Sequence, residues 1–404
     1  MGLIVGVFAL VYLGMLLGGI PGTALDRTGV ALAGALALIA GGALSPAAAW
    51  QAVDVATIAL LFGLMVVSAQ LANAGFYAAL TVRLTAAAVS PALLLAGVVV
   101  VAGGLSAVLV NDVVCLAMAP IVVEGCVGRH LDPRPFLLAL AAAANVGSAA
   151  TLIGNPQNML IGQVLHLSFA GYLADAALPA LLGLGVVWAV VVWRTAGRWE
   201  HHQAPVAVVA PRLDAWQSAK GLLVLTALIV CFLAGVGERD AVALGAAAVL
   251  LISRRTASRA LLAQVDGQLL VLFMALFVVN HAVAASGALA GVGEALARGA
   301  VDLRQPAWLF AVTVGLSNLV SNVPAVMLLL PLTGGPQAGA ILALGSTLAG
   351  NLLLVGSIAN LIVVDQAARL GVRIGWVEHA RVGVPITVLT TALAAGWLWL
   401  RAAP

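Results

Sequence analysis

The 404-residue chain is poor in charge. Only 8% of its residues are Asp, Glu, Lys or Arg, against about 25% in a soluble domain, which excludes a soluble globular protein. There is a single lysine, Lys220, and no Walker A, HExxH or GxSxG pattern. That leaves no nucleotide-driven motor, zinc hydrolase or acyl-transfer enzyme to read, so any energy for work comes from an ion gradient. The three cysteines, Cys115, Cys126 and Cys231, form no CxxC and read as free buried thiols. A net charge of +3 is too small for a nucleic-acid footprint. No cofactor motif is present.

What the chain has instead is 63% hydrophobic residues in long runs without period-two alternation. At about 20 residues per span there is room for roughly ten to twelve helical crossings, and a barrel is excluded. The apolar stretch from Leu3 to Leu17 has no basic flank and reads as a retained first span. Spans are expected at 3–19, 28–45, 54–73, 135–170, 176–194, 221–237, 240–252, 266–286, 337–370 and 380–400.

Two segments read as versions of each other. Gly104-Leu105-Ser106 reaches Asn111-Asp112 and runs on to Pro120. Gly315-Leu316-Ser317-Asn318 reaches Ser321-Asn322-Val323-Pro324 and runs on to Pro331. Segments 92–124 and 306–333 are long enough to enter and leave on one face as re-entrant hairpins. With both hairpins re-entrant, Arg27, Arg83, Arg129, Arg134, Arg194, Arg198, Arg212, Lys220, Arg254, Arg255, Arg259, Arg369, Arg373 and Arg381 share one face. Arg239, Arg298, Arg304 and Arg401 share the other. The rich face is cytoplasmic by the positive-inside rule, which puts both termini outside.

The likeness extends further. Val53-Asp54 and Val265-Asp266 begin spans that end at Gly75 and Gly287, 212 positions apart in both cases. The long stretches 135–170 and 337–370 each break, at Gly154-Asn155-Pro156-Gln157-Asn158 and at Gly356-Ser357-Ile358-Ala359-Asn360. The expected fold is therefore an all-α polytopic membrane protein with an inverted-topology repeat, two re-entrant helical hairpins, two broken transmembrane helices and about ten crossings. Residues 1–194 form the first repeat, 195–220 a cytoplasmic linker holding His201-His202, Pro205 and Pro211, and 221–404 the second.

Helices that end inside a membrane leave backbone groups needing partners, and polar side chains there mark a path for solute. The first hairpin offers Ser106, Asn111 and Asp112. The second offers Ser317, Asn318, Ser321 and Asn322. Asn145, Gly147, Ser148, Thr151, Gly154, Asn155 and Asn158 line the first break. Thr347, Gly350, Asn351, Gly356, Ser357 and Asn360 line the second. Asp112 is the only acid in either hairpin turn, and its repeat mate is Val323. An isolated carboxylate at mid-depth costs about 2.5–3.5 kcal/mol on insertion scales, so it is expected to be neutral, paired with a cation, or alternating between the two as a proton carrier. Asp54 and Asp266 are expected to cap helices, and Glu378-His379-Ala380-Arg381 to anchor the last span at the interface.

At these motifs the sequence resembles the ion-transporter superfamily, in its arsenical-pump and citrate-transporter-like branch of arsenite permeases, NhaD-type antiporters and divalent anion symporters. The matching pieces are Val110-Asn111-Asp112 with Ala119-Pro120, the run from Ala150 to Asn158, Ser321-Asn322-Val323-Pro324, Gly356 to Asn360, and Glu378 to Thr387. The resemblance implies a scaffold domain, a transport domain of hairpins and broken helices, and a homodimer. It implies sodium at hairpin-tip positions, here Ser106, Asn111 and Asp112, and Ser317, Ser321 and Asn322. The expected function is a secondary carrier for a small anion or a neutral oxyacid such as arsenite in a bacterial-type inner membrane, coupled to protons or sodium. A sodium/proton antiporter is the alternative. A channel is the remaining one, since Asn155-Pro156 resembles the Asn-Pro-Ala of water channels, although the second break has no proline.

Overall fold

The computed structural model describes residues 1–200, 208–209, 211–288, 291, 298–299 and 301–402. His201-His202 and Pro205 lie outside the described residues. All regular structure among the described residues is helical, apart from two isolated bridges.

The helices begin where the local chemistry allows. Asp26, Ser45, Asp54, Ser90, Asp132, Asn155, Ser168, Asp214, Asp266 and Ser357 each accept a backbone N–H from the first turn that follows them. A side-chain oxygen there satisfies a donor that the helix cannot. Asp54 and Asp266 do this 2.7 and 2.9 Å from the amides of Thr57 and Leu269.

The first half runs α1 (Gly2–Leu17), α2 (Arg27–Ala40), α3 (Pro46–Gln51), α4 (Val55–Asn73), α5 (Phe76–Thr85), α6 (Pro91–Val108), α7 (Asn111–Gly128), α8 (Pro133–Ser148), α9 (Pro156–Val164) and α10 (Phe169–Thr195). The second runs α11 (Ala215–Ala234), α12 (Arg239–Leu251), α13 (Ser258–Leu262), α14 (Gly267–Ala285), α15 (Pro306–Val320), α16 (Asn322–Leu329), α17 (Ala338–Ala349), α18 (Ile358–Arg369) and α19 (Trp376–Ala402).

Packing exchanges elements between the halves. α2 lies on α14 while α12 lies on α4, and α10 lies on α19. Each hairpin's first arm packs on its own broken helix, α6 on α8 and α15 on α17. Each second arm reaches the other half, α7 on α18 and α16 on α9. Close crossings use small residues, as membrane helices do. A Cβ on Gly147 would overlap the backbone of Gly103 where α8 crosses α6, and one on Gly63 would stand 2.6 Å from the Ala243 carbonyl where α4 crosses α12.

Among the described residues, seven helices are long and apolar enough to cross a bilayer alone: α4, α6, α7, α10, α11, α14 and α19. By length, α6 and α7 could each be a full span. The position of their turn makes them re-entrant: the Asn111 amide donates to the Gly154 carbonyl (3.2 Å), at the break between α8 and α9 in the middle of that crossing. The broken span expected over 135–170 ends earlier than its apolar length suggests. The chain leaves α9 at Val164, turns through His166 (φ +48°), and starts α10 at Phe169 on a Ser168 cap. The short helices α3, α5 and α13 have too little apolar length to register as spans.

Candidate functional site

The two broken crossings hold each other open. Within each break an asparagine restores the loose carbonyls. Asn158 donates to the carbonyls of Ser148 (3.4 Å) and Thr151 (3.0 Å), and Asn360, 202 positions later, donates to those of Gly350 (2.8 Å) and Leu353 (3.2 Å). Between the breaks, Asn145 on α8 donates to Asn351 Oδ1 (2.8 Å) and Asn360 Oδ1 (3.1 Å) and accepts from the Ser357 hydroxyl (2.8 Å). Thr347, also 202 positions on, mirrors it. It accepts from Asn155 and Gln157, each at 3.2 Å, and donates to Asn158 Oδ1 at 3.2 Å. Each half thus inserts one polar side chain into the other's gap, and in this network Asn351 Nδ2 is left without a partner among the described residues.

The hairpin turns sit against these breaks. The Val110 amide donates to Ser68 Oγ on α4 (3.2 Å), and the Thr151 hydroxyl donates to the Ala107 carbonyl. A Cβ on Gly154 would stand 2.6 Å from the Ser106 carbonyl oxygen and closer still to that of Ser148, so only glycine lets turn and break approach. In the second hairpin, the turn is reached by Tyr12 on α1. Its hydroxyl donates toward the Pro324 carbonyl (3.3 Å) and Asn280 Oδ1 (2.9 Å). Ser321 at that turn has φ +76° and ψ 161°, a region essentially reserved for glycine.

Between the two turns lies a cavity of about 30 Å³, lined by Asn111, Asp112, Pro156, Gln157, Leu269, Ser321, Asn322, Val323, Ser357 and Ile358. Its wall contains the first residues of four helices, α7, α9, α16 and α18. A helix N-terminus carries about half a positive charge, so four of them facing one space favour an oxyanion there, although Pro156 has no N–H and the Asn111, Asn158 and Ala359 amides already donate to Gly154, Asn155 and Ser357. Asp112 is the only formal charge on the wall, and among the described residues nothing donates a hydrogen bond to its carboxylate.

Five oxygens near the turns are buried without a partner among the described residues: Ser106 Oγ and Asn111 Oδ1 in the first hairpin, and Ser317 Oγ, Asn318 Oδ1 and Asn322 Oδ1 in the second. Ser106 and Asn111 are the repeat mates of Ser317 and Asn322. Each unsatisfied group costs about 1–3 kcal/mol; stability does not explain the same pair being left open twice.

Of the residues singled out in the sequence, Asn111, Asp112, Ser321, Asn322 and Ser357 line the cavity. Ser148, Thr151, Asn155, Asn158, Asn351 and Asn360 form the wall that supports it. Gly147, Gly154, Gly350 and Gly356 serve close approach, and the Asn318 amide donates back to the Val314 carbonyl (2.9 Å). His379 is buried rather than interfacial: its Nε2 lies 3.1 Å from the Asn351 carbonyl, because α19 packs over the second break. Sequence reasoning passed over Ser68, Asn280, Gln157 and Leu269. Ser68 and Asn280 stand 212 apart, the same offset as Asp54 and Asp266, and that signal could have found them.

One further pair of matched arginines is held differently. Arg239, at the start of α12, donates to the Gly162 carbonyl in the last turn of α9 (2.6 Å). Its mate 212 positions earlier, Arg27, has a buried Nε without a partner among the described residues.

Comparison with known proteins places this geometry. The chain is 28% identical to the silicon efflux transporter LSI3 of Oryza sativa subsp. japonica, over 93% of this chain and 92% of that one. It is 30% identical to an uncharacterized transporter of Mycobacterium bovis, over 86% of each. Its fold is similar to that of the Alcanivorax borkumensis YdaH transporter, with a TM-score of 0.59 and 17% identity, covering 98% and 97% of the two chains. The citrate transporter family pattern matches residues 8–341, and the chain belongs to that family of multi-pass membrane transporters.

Proposed function

We propose that the protein is a secondary active carrier that moves a small oxyanion, or its neutral acid, together with a proton by alternating access. The observation that carries this reading is the meeting of four helix N-termini and one unpartnered carboxylate, Asp112, in a single cavity. The N-termini favour negative charge and Asp112 opposes it. An anion is therefore accepted when Asp112 is protonated, which couples the two. A relative that exports silicon supports an oxyacid as cargo, since dissolved silicon travels in water as a neutral oxyacid. The cavity has room for about one water, so the turns part to admit solute. The arginine-rich face is cytoplasmic in this reading, the membrane is a bacterial-type inner membrane, both termini lie outside, and two chains pair as a homodimer.

Proteoliposomes test this. With an imposed pH gradient, uptake of arsenite, silicic acid or a carboxylate should rise as the pH on the entry side falls, and should saturate and show counterflow. Transport that is linear in concentration and indifferent to pH would refute the carrier reading and favour a pore.

A sodium/proton antiporter is the second reading, favoured by the unpartnered oxygens. In it sodium occupies Ser106, Asn111 and Asp112 in one hairpin, and Ser317, Ser321 and Asn322 in the other. It requires sodium-induced proton flux with no anion present.

A further inference from the structure

A larger cavity, about 510 Å³, lies away from the hairpin turns, where the start of α8, the end of α10 and the start of α19 meet. Four arginines line it, with three carboxylates. Arg134 takes two of the acids, at 2.8 Å from Asp132 and 3.6 Å from Glu378. Arg194 spends its Nε on the Arg381 carbonyl (2.8 Å), and Arg198 points its own at the Thr195 carbonyl (3.4 Å). The remaining guanidinium nitrogens of Arg194 and Arg198, and all of Arg381, meet no carboxylate among the described residues. Three guanidiniums thus stand outside any ion pair, and the four arginines exceed the three carboxylates by one positive charge. Guanidinium groups on separate elements, with their N–H forks free, match the oxygens of a phosphate better than a single carboxylate does.

The surroundings indicate where that phosphate comes from. The floor is apolar, with Leu138, Val191 and Val382. From it, α10 and α19 continue into exposed apolar faces, among them Leu181, Leu182 and Trp188 on one and Val384 and Val388 on the other. Trp193, 65% exposed, lies beneath Arg194 with the guanidinium 4.8 Å from its ring, and Trp376 at the start of α19 is 59% exposed. Exposed indoles at helix ends mark the headgroup level of a bilayer. A polar cavity there, opening onto lipid-facing grooves, fits a molecule with an anionic head and two apolar tails.

We propose that this cavity is a headgroup site for an anionic phospholipid, with Arg194, Arg198 and Arg381 bonding the phosphodiester oxygens and the acyl chains lying along α10 and α19. The bound lipid braces α8 and α19, which carry Asn145 and His379 into the polar wall of the transport cavity.

Native mass spectrometry of protein released from nanodiscs of mixed phosphatidylglycerol and phosphatidylcholine tests it. The protein should keep phosphatidylglycerol under activation that strips phosphatidylcholine, and R198Q/R381Q should lower that adduct about tenfold while keeping its Tm in pure phosphatidylcholine. Equal retention of both lipids, or an undiminished adduct in the variant, overturns the proposal. Should the variant lose Tm in phosphatidylcholine, the unmodified protein decides. Thermal stabilisation by phosphatidylglycerol, with none from millimolar inorganic phosphate or citrate, supports the lipid. Equal stabilisation by inorganic phosphate assigns the cavity to a soluble oxyanion and overturns it.

Discussion

The two hairpins share a sequence pattern but are held very differently. The first is tied at its turn by Val110 to Ser68, by Asn111 to Gly154 and by Thr151 to Ala107, and it carries Asp112. The second carries Val323 in place of the acid, has one bond from Tyr12 near its turn, and holds Ser321 in a strained conformation. The two hairpins are matched scaffolds. The difference between them assigns charge to the well-anchored turn and leaves the other with strain and fewer ties.

The comparison breaks most visibly at Asp112. D112N should remove gradient-driven uptake by about 100-fold or more, the scale on which a positioned proton carrier acts, and should flatten its pH dependence, while counterflow without a gradient survives. Retained pH-dependent uptake in D112N would remove the proton role.

Next in size are the glycines at each turn–break contact. G154A should lower stability by about 1–3 kcal/mol, an overpacking cost, read as a drop in Tm. G356A should cost less, because a Cβ there stands 3.2 Å from Asn318 Oδ1 and from the Gly350 carbonyl instead of pressing into two backbone oxygens. Equal Tm losses would mean that the first turn is no more tightly seated than the second.

The arginine pair gives a smaller effect. If the protein alternates access, the bond from Arg239 to Gly162 holds one face closed while Arg27 stands free on the other. R239Q should raise labelling of V323C from the Arg239 face about fivefold, the Boltzmann weight of ~1 kcal/mol at a helix C-terminus. R27Q should leave it unchanged, and equal effects from both would end this account. Smallest of all, S321G should stabilise the protein by ~1 kcal/mol by relieving the turn. The first hairpin has no non-glycine residue at positive φ where such a change could act.

Much of this was legible in the chain. The doubled Gly-Leu-Ser patterns, 211 positions apart, located both hairpins, and the acids at 54 and 266, 212 apart, proved to cap helices. Asn111, Asp112 and Asn322 stood out because polar groups within apolar runs are costly. Other features left little trace. Asn155, Asn158 and Asn360 looked like ligands yet spend their amides on the wall, and His379 looked interfacial yet is buried. Their partners are reached only through the fold, as when Asn145 meets Asn351 and Asn360 more than 200 residues away.

The sequence alone determined that this is a multi-span helical protein with polar interruptions in matched places, since a bilayer admits few other solutions to so many apolar residues. Tertiary structure alone decided that α7, α9, α16 and α18 start around one space. A helix end gains its field and its partners from what packs opposite it, and here each half supplies what the other lacks.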